Sequence, residues 1–373
     1  MILGGVSGYA QIPPINPWWY TMEQGKFLFR SGDYGRALLS FEDARRQRQS
    51  MYAAMEQDLI NFLSISEVRR LGDSLDLLET YIDARGQANA AAALRELYYR
   101  VPRESLNDSA ERALAELSRL KYYPEAEYWI GETYRAEGEL GVALGQFEKA
   151  YTQRAMLEIP GFDLELLYKI ADVNRVRREY TKMERRLLDI VEGTAQDGSP
   201  RDDLWTGLGG VRRFARNSMT RILENDGIGR FLTMFRYGNT GVERAHRLLG
   251  FYYFATGRQS PGPAKDHLVF AFLIQNTVLL EEAIRSRFDY TFTDLETLLK
   301  ETERNPSLLS YLEECEYYKT AYYLGNALYG DGKARIAREF WTFLAGREAA
   351  GEWQSRALAQ LQNPFVERAV ENP

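Results

Sequence analysis

The chain is poor in the side chains that most often carry enzyme chemistry. It has one cysteine, Cys315, and two histidines, His246 and His267, among 373 residues. A single thiol excludes an internal disulfide, so cysteine usage says nothing about compartment. No HExxH, no CxxC and no His/Cys cluster at ligand spacing occurs, which argues against a transition-metal site. The two histidines fall on adjacent helical segments and read as packed or half-exposed residues. There is also no excess of positive charge. With 47 Lys and Arg against 53 Asp and Glu, the net charge of −6 excludes a general nucleic-acid binder, which depends on clustered cations. No apolar run approaches the ~18–20 residues that a membrane span needs. Adjacent carboxylates such as Glu281–Glu282 and Glu313–Glu314 lie on different faces of a helix and read as solvated surface. Nothing in the sequence calls for a cofactor.

What is plentiful is aromatic surface, 13% of residues with 24 tyrosines, and it recurs in order. Three segments, "YTMEQGKFLFRSGDYGRALLSFEDA", "EYWIGETYRAEGELGVALGQFEKA" and "KTAYYLGNALYGDGKARIAREFWTFLA", share one spacing. Each has a glycine, a small residue twelve positions on, and an aromatic four later. The sets are Gly25, Ala37, Phe41; Gly131, Ala143, Phe147; and Gly325, Ala337, Trp341. Ala44, Ala150 and Leu344 follow three positions further on, and a glycine-bearing polar turn lies between. The physical reading is a helix, a tight turn and a second antiparallel helix. Small residues stand where the helices approach, and the aromatic fills the space beside them.

This pattern resembles the tetratricopeptide repeat, a helix–turn–helix unit of ~34 residues. Weaker copies carry Gly72, Leu77, Tyr81 and Ala84; Ala113, Leu117 and Leu120; Ala171, Met183, Leu187 and Ile190; and Gly250 with Tyr253. The resemblance implies an all-α, right-handed superhelical solenoid of about seven or eight antiparallel helix pairs. It divides the chain into an extension or export-signal remnant (1–16), repeats over 17–202, an irregular basic helix pair (203–241), repeats over 242–350, and a capping helix with tail (351–373). "MILGGVSGYAQ" has the small residues of a signal-peptidase site at Gly8 and Ala10 but no positive start. Asn16 is expected to cap the first helix, with Pro17 at its first position.

The glycines of "DLWTGLGGVRRFARNSMTRILENDGIGRFLTMFRYGNTG" suggest a phosphate cradle, yet no GxxxxGK[ST] follows and a helical array supplies no preceding strand. Val211, Phe214, Ala215 and Ile222, then Ile228, Phe231, Leu232 and Phe235, share helical faces, so the stretch reads as a distorted helix pair. Arg212, Arg213, Arg216, Arg221, Arg230 and Arg236 stand against Glu224 and Asp226 over 205–240. They form either a solvated face or a docking patch for an acidic partner or anionic head groups.

The resemblance also implies that the first helix of each repeat lines a concave groove for peptide partners. Those positions are Tyr128, Glu132 and Arg135, then Tyr168, Asp172 and Arg175, two Tyr–acid–Arg triplets that in phase would form parallel columns. Further along they are Arg247, Phe251 and Phe254, then Tyr322, Asn326 and Tyr329. The alternative is an intrahelical acid–Arg pair beside a packing tyrosine. The lysine–asparagine carboxylate clamp of chaperone-binding members is absent. The expectation is a non-catalytic adaptor binding a protein or peptide, in the periplasm or cell envelope if the N-terminus is an export remnant and otherwise in the cytoplasm. A tyrosine-lined small-molecule or glycan binder and a helical-array glycan hydrolase are the alternatives.

Overall fold

The computed structural model defines residues 17–63, 118–195, 198–206, 210–257, 262–287, 289–302, 305–367 and 370. The weaker repeat copies at Gly72–Ala84 and Ala113–Leu117 lie outside them, as do Asn16 and the glycines of 207–209. The described residues are helical, and the helices pack in neighbouring pairs. Contacts divide the chain into two compact units, residues 1–173 and 174–373.

In the first unit, α1 (Trp18–Arg30) pairs with α2 (Tyr34–Leu63), and α3 (Pro124–Ala136) with α4 (Leu140–Thr152). Helix α5 (Phe162–Val176) follows. Pro17 occupies the cap position and α1 starts one residue later than expected, at Trp18. The glycine–small–aromatic spacing has a direct steric cause. A Cβ on Gly25 would stand 2.6 Å from Phe41, and one on Gly131 2.7 Å from Phe147, well inside contact distance. Ala37, Phe41, Ala44, Ala143, Phe147 and Ala150 are all fully buried. Helix α3 serves two cores. Ala126 and Ile130 pack with Met22 and Phe41, whereas Tyr128 packs with Phe147, Leu166 and Ile170. Each hairpin therefore buries a face of the next.

The second unit contains α6 (Tyr180–Glu192), the short α7 (Asp203–Thr206), α8 (Gly210–Met234), α9 (Thr240–Thr256) and α10 (Gly262–Ser286). Beyond these come α11 (Leu295–Thr302), α12 (Pro306–Glu314), α13 (Tyr317–Gly330), α14 (Ala334–Ala345) and α15 (Glu352–Gln362). The pairs α9–α10 and α13–α14 repeat the steric theme: Gly250 faces Leu268 with a Cβ distance of 2.6 Å, and Gly325 faces Trp341 at 3.0 Å. Helix α15 lies on α14, where a capping helix is expected. Helix α8 breaks at Gly227 (φ 89°), and the freed Ile228 N–H donates to Glu339 Oε1 at 2.8 Å. That break gives the distorted pair its physical form, with Ile228, Phe231 and Leu232 buried, Phe235 and Ile222 half-buried.

One turn recurs four times. Gly32, Gly138 and Gly332 take φ of 82°, 86° and 76° two residues before the following helix, and Arg178 takes 61° at the same place. In each, the positive-φ residue donates three residues back and its successor five back: Gly138 to Arg135 and Glu139 to Tyr134, Arg178 to Arg175 and Glu179 to Asn174. Such a bond pair satisfies the last carbonyls of a helix while reversing the chain. By length and mean composition helix α10 is long and apolar enough to cross a membrane, although no unbroken run is, and 72% of its most apolar window is buried inside the protein.

Candidate functional site

The groove positions of α3 and α5 are built around buried acids. Glu127 is 2% exposed and meets Arg45 at 2.9 Å and Lys149 at 2.6 Å. One turn on, Glu132 accepts two bonds from Arg135, at 3.0 and 2.8 Å, and its Oε2 lies 3.2 Å from Lys169 Nζ of α5. The hydrogen bonds to Glu132 hold the Arg135 guanidinium above its ordinary pKa. Tyr128 stands edge-on to Phe162, 4.7 Å away, and burial pushes its hydroxyl pKa up. Tyr128 and Tyr168 are each only 7% exposed. This corrects the expectation of tyrosine columns open to a ligand, because aromatics at first-helix positions fill the space between hairpins. Asp172 and Arg175 are half-buried and Arg135 is exposed. Lys169, one residue beyond Tyr168, was missed; its signal is the lysine four residues after Glu165 on the same face.

In the second unit Arg247 and Phe251 are likewise buried, and Phe254 is half-buried. Arg247 pairs with Glu243 at 3.1 Å and with Glu316, while Gln275 Nε2 donates to Glu243 at 2.7 Å. Lys319 lies 4.7 Å from the Phe251 ring centre and pairs with Glu316 at 2.9 Å. Cys315 is in the same neighbourhood, and burial pushes its thiol pKa well up, so the thiolate a nucleophile needs is disfavoured. Tyr322 and Asn326 are 1% exposed and Tyr329 is half-buried against Trp341.

At the last hairpin the first-helix face holds a carboxylate. Tyr322 Oη donates to Glu367 Oε2 at 2.8 Å, and Asn326 Nδ2 to the same oxygen at 3.0 Å. Arg356 of α15 is 3.5 Å from Glu367 Oε1. Glu367 belongs to the irregular segment after α15, so an acid-bearing stretch of chain lies on the groove positions of α13.

The chain's two histidines meet in the core. His246 Nδ1 is 2.9 Å from His267 Nδ1, and His246 Nε2 is 2.8 Å from Asp202 Oδ2. One Nδ1 must donate and the other accept. Asp202 Oδ1 also receives the Trp205 N–H at 2.8 Å and the Tyr237 hydroxyl at 2.5 Å. Burial and the Asp202 carboxylate raise the Tyr237 hydroxyl pKa. Trp205 stacks on His267 with centres 4.4 Å apart, and Phe270 on His246 at 5.2 Å. Asp202 and His246 are fully buried and His267 is 3% exposed, so the trio clamps α7 onto α9 and α10 rather than facing a substrate. Asp202 was missed although its position three residues before Trp205 is that of a helix cap.

Of the basic patch, Arg221, Arg230 and Arg236 are exposed. Arg236 donates to the Phe235 carbonyl at 2.8 Å. The side chains of Arg212, Arg213 and Arg216 lie outside the described residues. Among the described residues no group of His, Cys, Asp and Glu could hold a metal ion.

Fold and site together define an all-α protein of paired helices with buried ion pairs along its first helices. No protein-family model matches the chain. It is similar to an uncharacterized protein of Treponema pallidum (strain Nichols), 24% identical over 345 residues, which span 92% of this chain and 89% of that one.

Proposed function

We propose that this chain is a solenoid of tetratricopeptide type and a non-catalytic adaptor, whose first-helix faces hold an extended segment of a protein partner. The observation that carries the reading is Glu367: a stretch of polypeptide without regular structure is seated on the α13 positions where a partner's segment is expected, held by Tyr322 and Asn326. The fourfold turn and the glycine–aromatic contacts support the repeat assignment. The enclosure of the Asp202–His246–His267 trio and of Cys315 supports an absence of catalysis. The small-residue pattern of Gly8 and Ala10 supports a setting in a bacterial cell envelope, as part of a motor, transporter or assembly complex.

The test is affinity capture from native envelopes with the full chain and with a Tyr322→Phe/Arg356→Ala variant of unchanged helicity and melting. The proposal expects a protein captured by the first and depleted several-fold with the second. Equal capture by both, or none by either, contradicts it.

A further inference from the structure

Helix α15 ends at Gln362, and residues 363–367 continue without regular structure. Their attachment is sparse. The Phe365 N–H donates to Gln360 Oε1 at 3.0 Å, and Glu367 makes the three contacts described above. Phe365 and Val366, the large apolar side chains of this stretch, remain 50% and 51% exposed. Among the described residues, the side-chain hydrogen bonds that tie the segment to α13 converge on one carboxylate, with Val370 buried further on. By contrast, the receiving groups are built in. Tyr322 and Asn326 are 1% exposed and anchored on α13, and Arg356 is fixed over the Trp353 ring at 4.8 Å and beside Glu352 at 3.3 Å. A hydroxyl, an amide N–H and a guanidinium converging on one point suit a carboxylate. The fit is also incomplete: Asn326 Oδ1 is buried without a hydrogen-bond partner, an acceptor the tail leaves unused.

We propose that Tyr322, Asn326 and Arg356 form a carboxylate-recognition site that the chain's own Glu367 fills in cis, and that the partner's segment is an acidic extended peptide that displaces this tail. The proposal rests on the adaptor reading and adds to it the partner's chemistry and a regulating competitor. A tethered competitor acts at an effective concentration of ~1 mM. Any segment binding in trans must overcome it, so the tail sets the threshold for engagement.

The probe is a labelled synthetic peptide of the tail itself, QNPFVERAVENP, titrated against the full-length protein and its Glu367→Ala variant by fluorescence anisotropy. The expected result is binding at least about tenfold tighter to the variant, since removing the cis acid weakens the competitor. Adding Tyr322→Phe to Glu367→Ala abolishes that gain, as does a peptide carrying glutamine at the position of Glu367 with the glutamate of position 371 kept. Should the Tyr322 change disturb folding, as judged by melting, Arg356→Ala at the half-exposed rim replaces it. Equal affinity for both proteins, tight binding that survives Tyr322→Phe, or no binding to either overturns the proposal. The outcome is separable from the adaptor reading. A partner captured equally by wild type and Glu367→Ala leaves an adaptor but removes the cis competitor.

Discussion

Gly131 and Gly145 lie on the two helices of one hairpin and should respond to alanine with opposite signs. Alanine in a helix gains about 1 kcal/mol over glycine where nothing else changes. At Gly145, on the exposed face of α4, a new Cβ meets nothing within 4 Å, so Gly145→Ala should stabilise the first unit by about 0.5–1 kcal/mol. At Gly131 the same methyl group falls 2.7 Å from Phe147 Cε1 and 2.8 Å from Cδ1. Phe147 cannot step aside, being fully buried with Tyr128 5.8 Å away. The helices must separate by most of an ångström, and overpacking of this kind costs about 1–3 kcal/mol. Set against the propensity gain, Gly131→Ala should destabilise by up to about 2 kcal/mol. Phe147→Leu should cost stability alone yet recover part of that loss in the double variant, giving a coupling of about 0.5–1 kcal/mol or more. Urea unfolding followed by circular dichroism measures all four. A Gly131→Ala protein as stable as Gly145→Ala would refute the claim that helix approach dictates the glycine.

Three further outcomes follow from individual contacts. Asp202→Ala strands His246, Tyr237 and the Trp205 N–H in the core; a loss of about 3–5 kcal/mol lowers the melting temperature of the second unit by roughly 6–20 °C. Asp202→Asn, which keeps Oδ1, should lose less, and equal melting of both variants would contradict the clamp. Arg178→Gly should raise stability by about 0.5–1 kcal/mol, because a non-glycine residue there adopts the φ that glycine takes in the other three turns. Unchanged or lower melting would show that the arginine side chain compensates. Burial raises the Glu125 carboxyl above its usual range, against the Glu158 N–H bond that lowers it, and its Oε2 has no partner. Its contribution to folding is then complete below the ordinary glutamate pKa and is lost as pH rises through the higher folded value. Glu125→Gln should flatten that part of the stability–pH profile, and an unchanged profile counts against the assignment.

The hairpins were legible because their constraint is local. Gly25 and Phe41, or Gly131 and Phe147, are tied by the hairpin's own length, so steric demand appears as fixed spacing. The turn at Arg178 carried no such mark, since the backbone there takes a glycine conformation without the residue type revealing it. Helical period gave the face on which Tyr128 and Tyr168 sit but not what covers it, and the cover, such as Phe162 over Tyr128, comes from other elements. Pairing over longer range was invisible altogether. Glu367 lies 45 positions from Tyr322 and Asp202 44 from His246, and no periodicity links either pair.

The central claim, that first-helix faces receive a partner's segment, is tested most directly by photo-crosslinking in native cells. A photoreactive amino acid would replace the exposed Arg135, and in a second protein the half-buried Tyr329. The account predicts a discrete protein adduct from both positions, strengthened at the second by Glu367→Ala. Adducts confined to the chain's own tail at the second position, with no protein partner at either, would contradict it.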